Sequence, residues 1–208
     1  VLDGQWRFDL IRPIAFDLSG NKKIPGHIII GIPHKDWQKD RGRDLTFSHT
    51  KNEYNGEKTA DYNDTNSGAG ENFYLHLTQE IMKSVNDHYP TNGKNILIGH
   101  SYGGYFGSYI LSRKNGFTAY QIYDPSIWFS DGEAMKRIKE NLSQNKELDV
   151  FISYQPDPIF HANKIEALIS LLSTYPNIKL SSKQYKEETH NSLFMYSFLD
   201  GMKNLYED

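Results

Sequence analysis

A chain of 208 residues with 38% hydrophobic and 13% aromatic content can bury a sizeable core as one α/β domain spanning 1–208, and it is too apolar for a disordered segment. The formal net charge is −3, with basic residues scattered among acidic ones, so nothing favours nucleic acid or an anionic membrane surface as partner, and no apolar run approaches the roughly 20 residues of a membrane span. There is no cysteine, which excludes a disulfide framework, a cysteine-ligated zinc site and a cysteine nucleophile.

Residues 1–5 read as the end of a strand running into a loop, with nothing before it. The expectation is that upstream strands and a signal peptide belong to the natural protein, which tilts localisation toward the periplasm or outside rather than the cytoplasm. Residues 26–32 are a near-continuous apolar run, expected to be a strand buried on both faces. From 33 to 70 the chain turns polar, rich in Asn, Asp, Thr and Gly, and reads as a long surface loop of the kind that usually serves a function. Phe73, Leu77, Ile81 and Val85 recur every four residues and predict an amphipathic helix over 71–89. Further strands are expected at 95–98, 119–123, 148–154 and 178–185, and helices at 105–111, 132–142, 162–173 and 192–206. Their alternation implies a doubly wound, mostly parallel sheet.

Gly99-His100-Ser101-Tyr102-Gly103 lies between one of these strands and its helix. Strand, G-x-S-x-G, helix is the context of a nucleophile elbow, a turn so tight that only small residues fit two positions either side of the serine. A serine hydroxyl needs a base, and in this arrangement the acid and then the histidine follow along the chain. Only His161 and His190 lie beyond Ser101. His161 opens a helix, where a capping or surface role is expected; His190, between the last strand and last helix, is the candidate base. For the acid, Asp157 in Gln155-Pro156-Asp157-Pro158 occupies the expected loop, Asp124 at the preceding strand end is its rival, and a serine–histidine dyad without carboxylate is the third possibility. Two backbone N–H groups must face the developing oxyanion. Tyr102, directly after the serine, supplies one, and Gln5 after the Gly4 turn is the choice for the other. Trp6, Tyr102, Trp128 and Phe129 neighbour these elements and are candidates for an aromatic-walled substrate site, each with core packing as the alternative. Arg41 and Arg43 either meet an anionic substrate or pair with Asp40 or Asp44.

The chain resembles the putative esterase family of α/β hydrolases, near the branch of siderophore (enterobactin and salmochelin) esterases. The resemblance covers nearly the whole chain and rests on Leu2-Asp3-Gly4-Gln5, Gly31-Ile32, Arg41-Gly42-Arg43-Asp44-Leu45-Thr46, Gly68-Ala69-Gly70, Gly99-His100-Ser101-Tyr102-Gly103-Gly104, Pro125-Ser126-Ile127-Trp128 and Thr189-His190-Asn191-Ser192. It implies an α/β-hydrolase fold, expected to lack its first strands in this chain, with Ser101 and His190 catalytic and Gln5 and Tyr102 as oxyanion donors. It further implies no metal or organic cofactor and a small-molecule or carbohydrate-linked ester as substrate. The chain departs from the family at Gln155-Pro156-Asp157-Pro158 and at Asp124, where a serine is common, which leaves the acid open. The expected activity is ester hydrolysis through an acyl-enzyme, on a siderophore lactone or an acetyl or feruloyl ester of a carbohydrate. The alternatives are an acyltransferase on the same fold and a non-catalytic binding module with an esterase shell.

Overall fold

Adjacent residues of the central strands serve different cores, as the period-two geometry of a strand requires. Leu97, Tyr120, Ile122, Val150 and Ile152 join one apolar cluster, whereas their neighbours Ile98, Tyr123 and Phe151 join another. The strands are β1 (Asn95–His100), β2 (Phe117–Tyr123), β3 (Leu148–Tyr154) and β4 (Ile178–Gln184), all parallel and in the order β1-β2-β3-β4. The computed structural model describes residues 1–52, 55, 61–143 and 147–207.

Helices cover both faces, the rule for a parallel sheet. On one side, α5 (Tyr102–Ile110), α6 (Glu133–Asn141) and α7 (Ile159–Leu172) bring Ile110, Ile138, Ile165 and Leu168 to the first cluster. On the other, α1 (Gly4–Gly20) and α8 (Leu193–Tyr206) bring Ile11, Ala15, Phe194 and Phe198 to the second. Remaining elements are α2 (Trp37–Leu45), a short 3-10 turn (Phe129–Gly132) and the expected 71–89 helix, which forms as α3 (Gly70–Leu75), a π segment (His76–Ile81) and α4 (Met82–His88). Among the described residues no helix is long and apolar enough to cross a membrane.

Three expectations change. Residues 26–32 are not a strand buried on both faces: Ile28 is 45% exposed, and the segment meets residues 1–2 through one parallel bridge, Ile32 with Leu2, and the Val1 amino group donating to Ile30 O at 2.7 Å. The segment lies outside β1, and Leu2 stands between them, donating its N–H to Ile98 O at 3.0 Å. Asp3-Gly4-Gln5 does not continue as a loop but opens the 17-residue α1, a helix that the mixed polar and apolar sequence after Gln5 did not announce. The polar stretch from 33 to 70 contains the helix α2, and its residues 53–54 and 56–60 lie outside the described ones.

Candidate functional site

Parallel strands deliver their carboxyl ends to one edge of a sheet, where loops can converge. Ser101 leaves β1, Asp124 leaves β2, His161 sits in the first turn of α7 after β3, and His190 lies between β4 and α8. Ser101 has φ 60 and ψ −118, a strained conformation for a residue with a side chain. Its backbone is fixed on both sides: Ser101 N–H donates to Tyr123 O at 3.0 Å, and Ser101 O accepts from Tyr105 and Ser126 N–H at 2.9 and 3.1 Å. The turn is tight because β1 and α5 nearly touch. A Cβ on Gly99 would stand 2.2 Å from Gly103 O. Ser101 is partly exposed, and its Oγ lies 3.5 Å from Ser126 Oγ.

The carboxylate that meets His190 is Asp124. His190 Nδ1 lies 2.6 Å from Asp124 Oδ2, and Asp124 is wholly buried. Asp124 adopts φ 41, a left-handed conformation that Asp tolerates better than most residues, and its N–H donates to Ser153 O at 2.7 Å. Gln155 adds donors to the same carboxylate from its N–H at 3.4 Å and its Nε2 at 3.3 Å. Burial alone would push the Asp124 carboxyl up, but hydrogen bonds and charge interactions with His161 and His190 hold it below the usual carboxylate range. Asp157, expected as the acid, is exposed, and its N–H donates to Gln155 Oε1 at 2.8 Å. Gln155 turns inward to Asp124, and the two-residue offset leaves Asp157 on the outside of the loop.

His100, the variable residue before the serine, holds His190 from behind. Its Nε2 lies 2.6 Å from His190 O, and its Nδ1 lies 3.2 Å from Arg7 Nη2. Arg7 only donates, so Nδ1 accepts and Nε2 carries the proton given to the carbonyl. Burial, then the nearby His190 and Arg7, push the His100 pKa well below its ordinary value, so the ring is neutral. The His100 and His190 rings are 4.5 Å apart. Sequence pattern treats this position as unspecified, and only its neighbours in space reveal its part.

Asp3 and Arg41 tie the start of α1 to the serine turn. Arg41 binds Asp3 through Nε at 2.7 Å and Nη2 at 2.9 Å, and Nη2 also donates to His100 O at 3.2 Å. Gln5 and Tyr102 stand in the first turns of α1 and α5, where amides lack a helical carbonyl partner. Arg43 pairs with Asp40 at 3.0 Å and Asp44 at 2.9 Å. Of the expected substrate contacts, Trp6 is 43% exposed and packs edge-on against the exposed Trp37, 4.9 Å away. Trp128 and Phe129 are buried, in a cluster with Tyr105 and Ala134, and both rings pack against Tyr102, with ring centroids 6.2 and 5.7 Å away. His161 is also buried, not a surface or capping residue. A groove runs along the outer edge of β1, past Ile28, Ile30, Met82, Val85 and Ile96, and neither Ser101 nor His190 lines it.

A partly exposed serine on a strained strand–helix turn, beside an imidazole held on a buried carboxylate, is an arrangement suited to acyl transfer. The family described as "Putative esterase" matches residues 1–154. Among solved structures, an IroE-like serine hydrolase from Shewanella oneidensis is 27% identical, with TM-score 0.85, over 99% of this chain and 68% of its own. The siderophore hydrolase EstA from Aspergillus nidulans shares the fold at 20% identity and TM-score 0.81, over 99% and 82%. The enterobactin esterase from Shigella flexneri does so at 17% and TM-score 0.73, over 99% and 49%. No curated protein sequence matches the chain.

Proposed function

We propose that this chain, which belongs to the esterase family of α/β-hydrolase fold, cleaves carboxylic esters through an acyl-enzyme on Ser101. The observation that carries the reading is the 2.6 Å contact between His190 Nδ1 and the buried Asp124, at the edge of the sheet where Ser101 is presented. In it, Asp124 fixes the tautomer of His190 that leaves Nε2 able to accept a proton. As Ser101 Oγ bonds to the ester carbonyl carbon, His190 Nε2 takes the hydroxyl proton and the carbonyl oxygen becomes an oxyanion. The N–H groups of Gln5 and Tyr102 receive that oxygen, and Asp124 stabilises the imidazolium. The oxyanion collapses, the bond to the alcohol breaks, and His190 returns the proton to the leaving oxygen. Water then enters and attacks the acyl carbon as His190 takes its proton; the bond from Ser101 Oγ to that carbon breaks, His190 gives the proton to Oγ, and the carboxylic acid leaves. Among the described residues Ser101 Oγ has Ser126 Oγ as its hydrogen-bond partner, at 3.5 Å; the contact of a serine with its base commonly tightens only when substrate is bound.

The likeness to siderophore hydrolases supports a siderophore-type lactone as the substrate class, and the exposed Trp6–Trp37 pair supports an aryl-bearing one. A fluorophosphonate probe tests the serine. One adduct that maps to Ser101 is expected, and turnover of aryl esters should fall at least about 10³-fold in Ser101→Ala. Labelling that persists in that variant would overturn the assignment.

A further inference from the structure

Asp124 serves two imidazoles. On the side away from His190, His161 Nε2 lies 3.2 Å from Asp124 Oδ1. His161 is 3% exposed, and Asp124 Oδ1 is the polar atom within ion-pair distance of its ring, although the angle falls short of a well-aligned hydrogen bond. The two histidine rings stand 5.9 Å apart and nearly perpendicular, at 79°, so they approach the carboxylate from different directions. Burying an imidazole without compensation costs about 1–3 kcal/mol, and a leucine or phenylalanine would fill the first turn of α7 without that cost.

We infer that His161 is a positioning residue: it holds the Oδ1 side of Asp124 so that Oδ2 stays on His190 Nδ1. The inference rests on the serine-hydrolase reading above. A carboxylate with one strong donor can rotate about its last bond, and the other contacts to Asp124, from Gln155, are 3.3 and 3.4 Å long. His161 Nε2, 3.2 Å from Oδ1, places a second imidazole on the oxygen that His190 leaves free and adds to the hold of Gln155 on the carboxylate plane. Among the described residues no hydrogen bond joins His161 to Ser101, and its ion pair is with Asp124. Its effect passes through Asp124 to the tautomer and orientation of His190. The groups that face His190 are Asp124 from the end of β2, His100 from β1 with Arg7 of α1 behind it, and His161 from α7, with Glu188 on its own segment.

The test compares His161→Gln with His161→Phe and His161→Asn in the full chain. The Gln amide nitrogen reaches the position of the histidine Nε2, the Asn amide is too short to reach Oδ1, and Phe offers no donor. With an aryl ester as substrate, kcat should fall about tenfold to a hundredfold in the Phe and Asn variants at nearly constant KM, and recover to within about threefold in the Gln variant. The downfield proton resonance of the His190–Asp124 bond should persist in wild type and His161→Gln and shift or broaden in the other two. Asn keeps a polar side chain, so the comparison survives if Phe fails to fold. Equal turnover in all three variants, or an unmoved resonance in Asn, overturns the inference. A wild-type chain that neither turns over esters nor labels at Ser101 sinks the catalytic reading instead, and the resonance alone then decides whether His161 sets the His190–Asp124 contact.

Discussion

His190 Nδ1 and Asp124 Oδ2 are 2.6 Å apart, and the two residues are 66 positions apart in sequence. The contact joins the end of β2 to the segment before α8, so an imidazole on one loop is oriented by a buried carboxylate on another. Asp124 is shielded from water while His190 has a side chain 39% exposed, which leaves one side of the imidazole open toward substrate. The contact also divides the two candidate carboxylates. Asp124→Asn is expected to lower kcat by up to about 10⁴-fold, because an amide at this position favours the wrong imidazole tautomer. Asp157→Asn, at an exposed residue, is expected to change it less than about tenfold. Steady-state turnover of an aryl ester by both variants checks this, and the reverse ranking would move the acid to the later loop.

Gly99 predicts a folding effect from geometry alone. A methyl there would stand 2.2 Å from Gly103 O and 2.4 Å from Gly103 C, both backbone atoms that a rotamer change cannot move. Gly99→Ala must therefore push α5 from β1 or distort the turn. Overpacking in a tight core costs about 1–3 kcal/mol, and a backbone clash belongs at the upper end. Urea denaturation followed by fluorescence should show that loss, together with reduced labelling of Ser101. A midpoint equal to that of wild type would mean that strand and helix are farther apart than described.

His100 makes stability depend on pH. Its folded pKa lies well below the ordinary value near 6.5, chiefly through burial, so at pH 6 and below the unfolded chain binds a proton there that the folded chain does not. Stability from this group is thus fully present above about pH 6.5 and is lost as pH falls, with a slope of up to about 1.4 kcal/mol per unit. His100→Asn removes the titrating ring. Between pH 6.5 and 5, the stability of the variant should fall less steeply than that of wild type in urea melts. Parallel slopes would mean that His100 is protonated in the fold.

The sheet was legible because its strands are short apolar runs bounded by turns: the expected strand at 148–154 coincides with β3 (Leu148–Tyr154), and the 192–206 helix differs from α8 by one residue. Ser101 and His190 could be singled out as candidates because each carries its signal in its immediate neighbours. The carboxylate that meets His190 could not. Asp124-Pro125 and Asp157-Pro158 are the same dipeptide at the ends of adjacent strands, and which one turns inward depends on Gln155 folding back to Asp124, a contact 31 residues long. Phe129 was unreadable for a related reason. Apolar residues beside a catalytic loop look alike in sequence whether they line the site or leave it, and the positive φ of Ser130 and Asp131 marks the turn beside it in the structure. His100 and His161 lay outside any local pattern, since each matters through a partner far along the chain.

Arg41 offers the remaining prediction, because two roles were open to it and they differ in what they do to the fold. As a substrate anchor it would be dispensable to stability, and its loss would raise KM. Its polar contacts include the buried Asp3, held at 2.7 and 2.9 Å, and the His100 carbonyl at 3.2 Å, and its guanidinium lies over the Tyr102 and Trp6 rings at 5.5 and 5.9 Å. Asp3 is 1% exposed, so removing the guanidinium strands a buried carboxylate, at a cost of about 3–5 kcal/mol. The same contacts join the segment before Gln5 to the residue before Ser101, so the spacing of the two proposed oxyanion donors depends on them. Arg41→Ala is therefore expected to lower the urea midpoint and, at concentrations where it remains folded, to lower kcat more than it raises KM. Arg41→Lys should restore part of the stability but less of the turnover, since a single ammonium cannot reproduce the paired bonds to Asp3. A raised KM with unchanged stability and kcat would return Arg41 to the substrate.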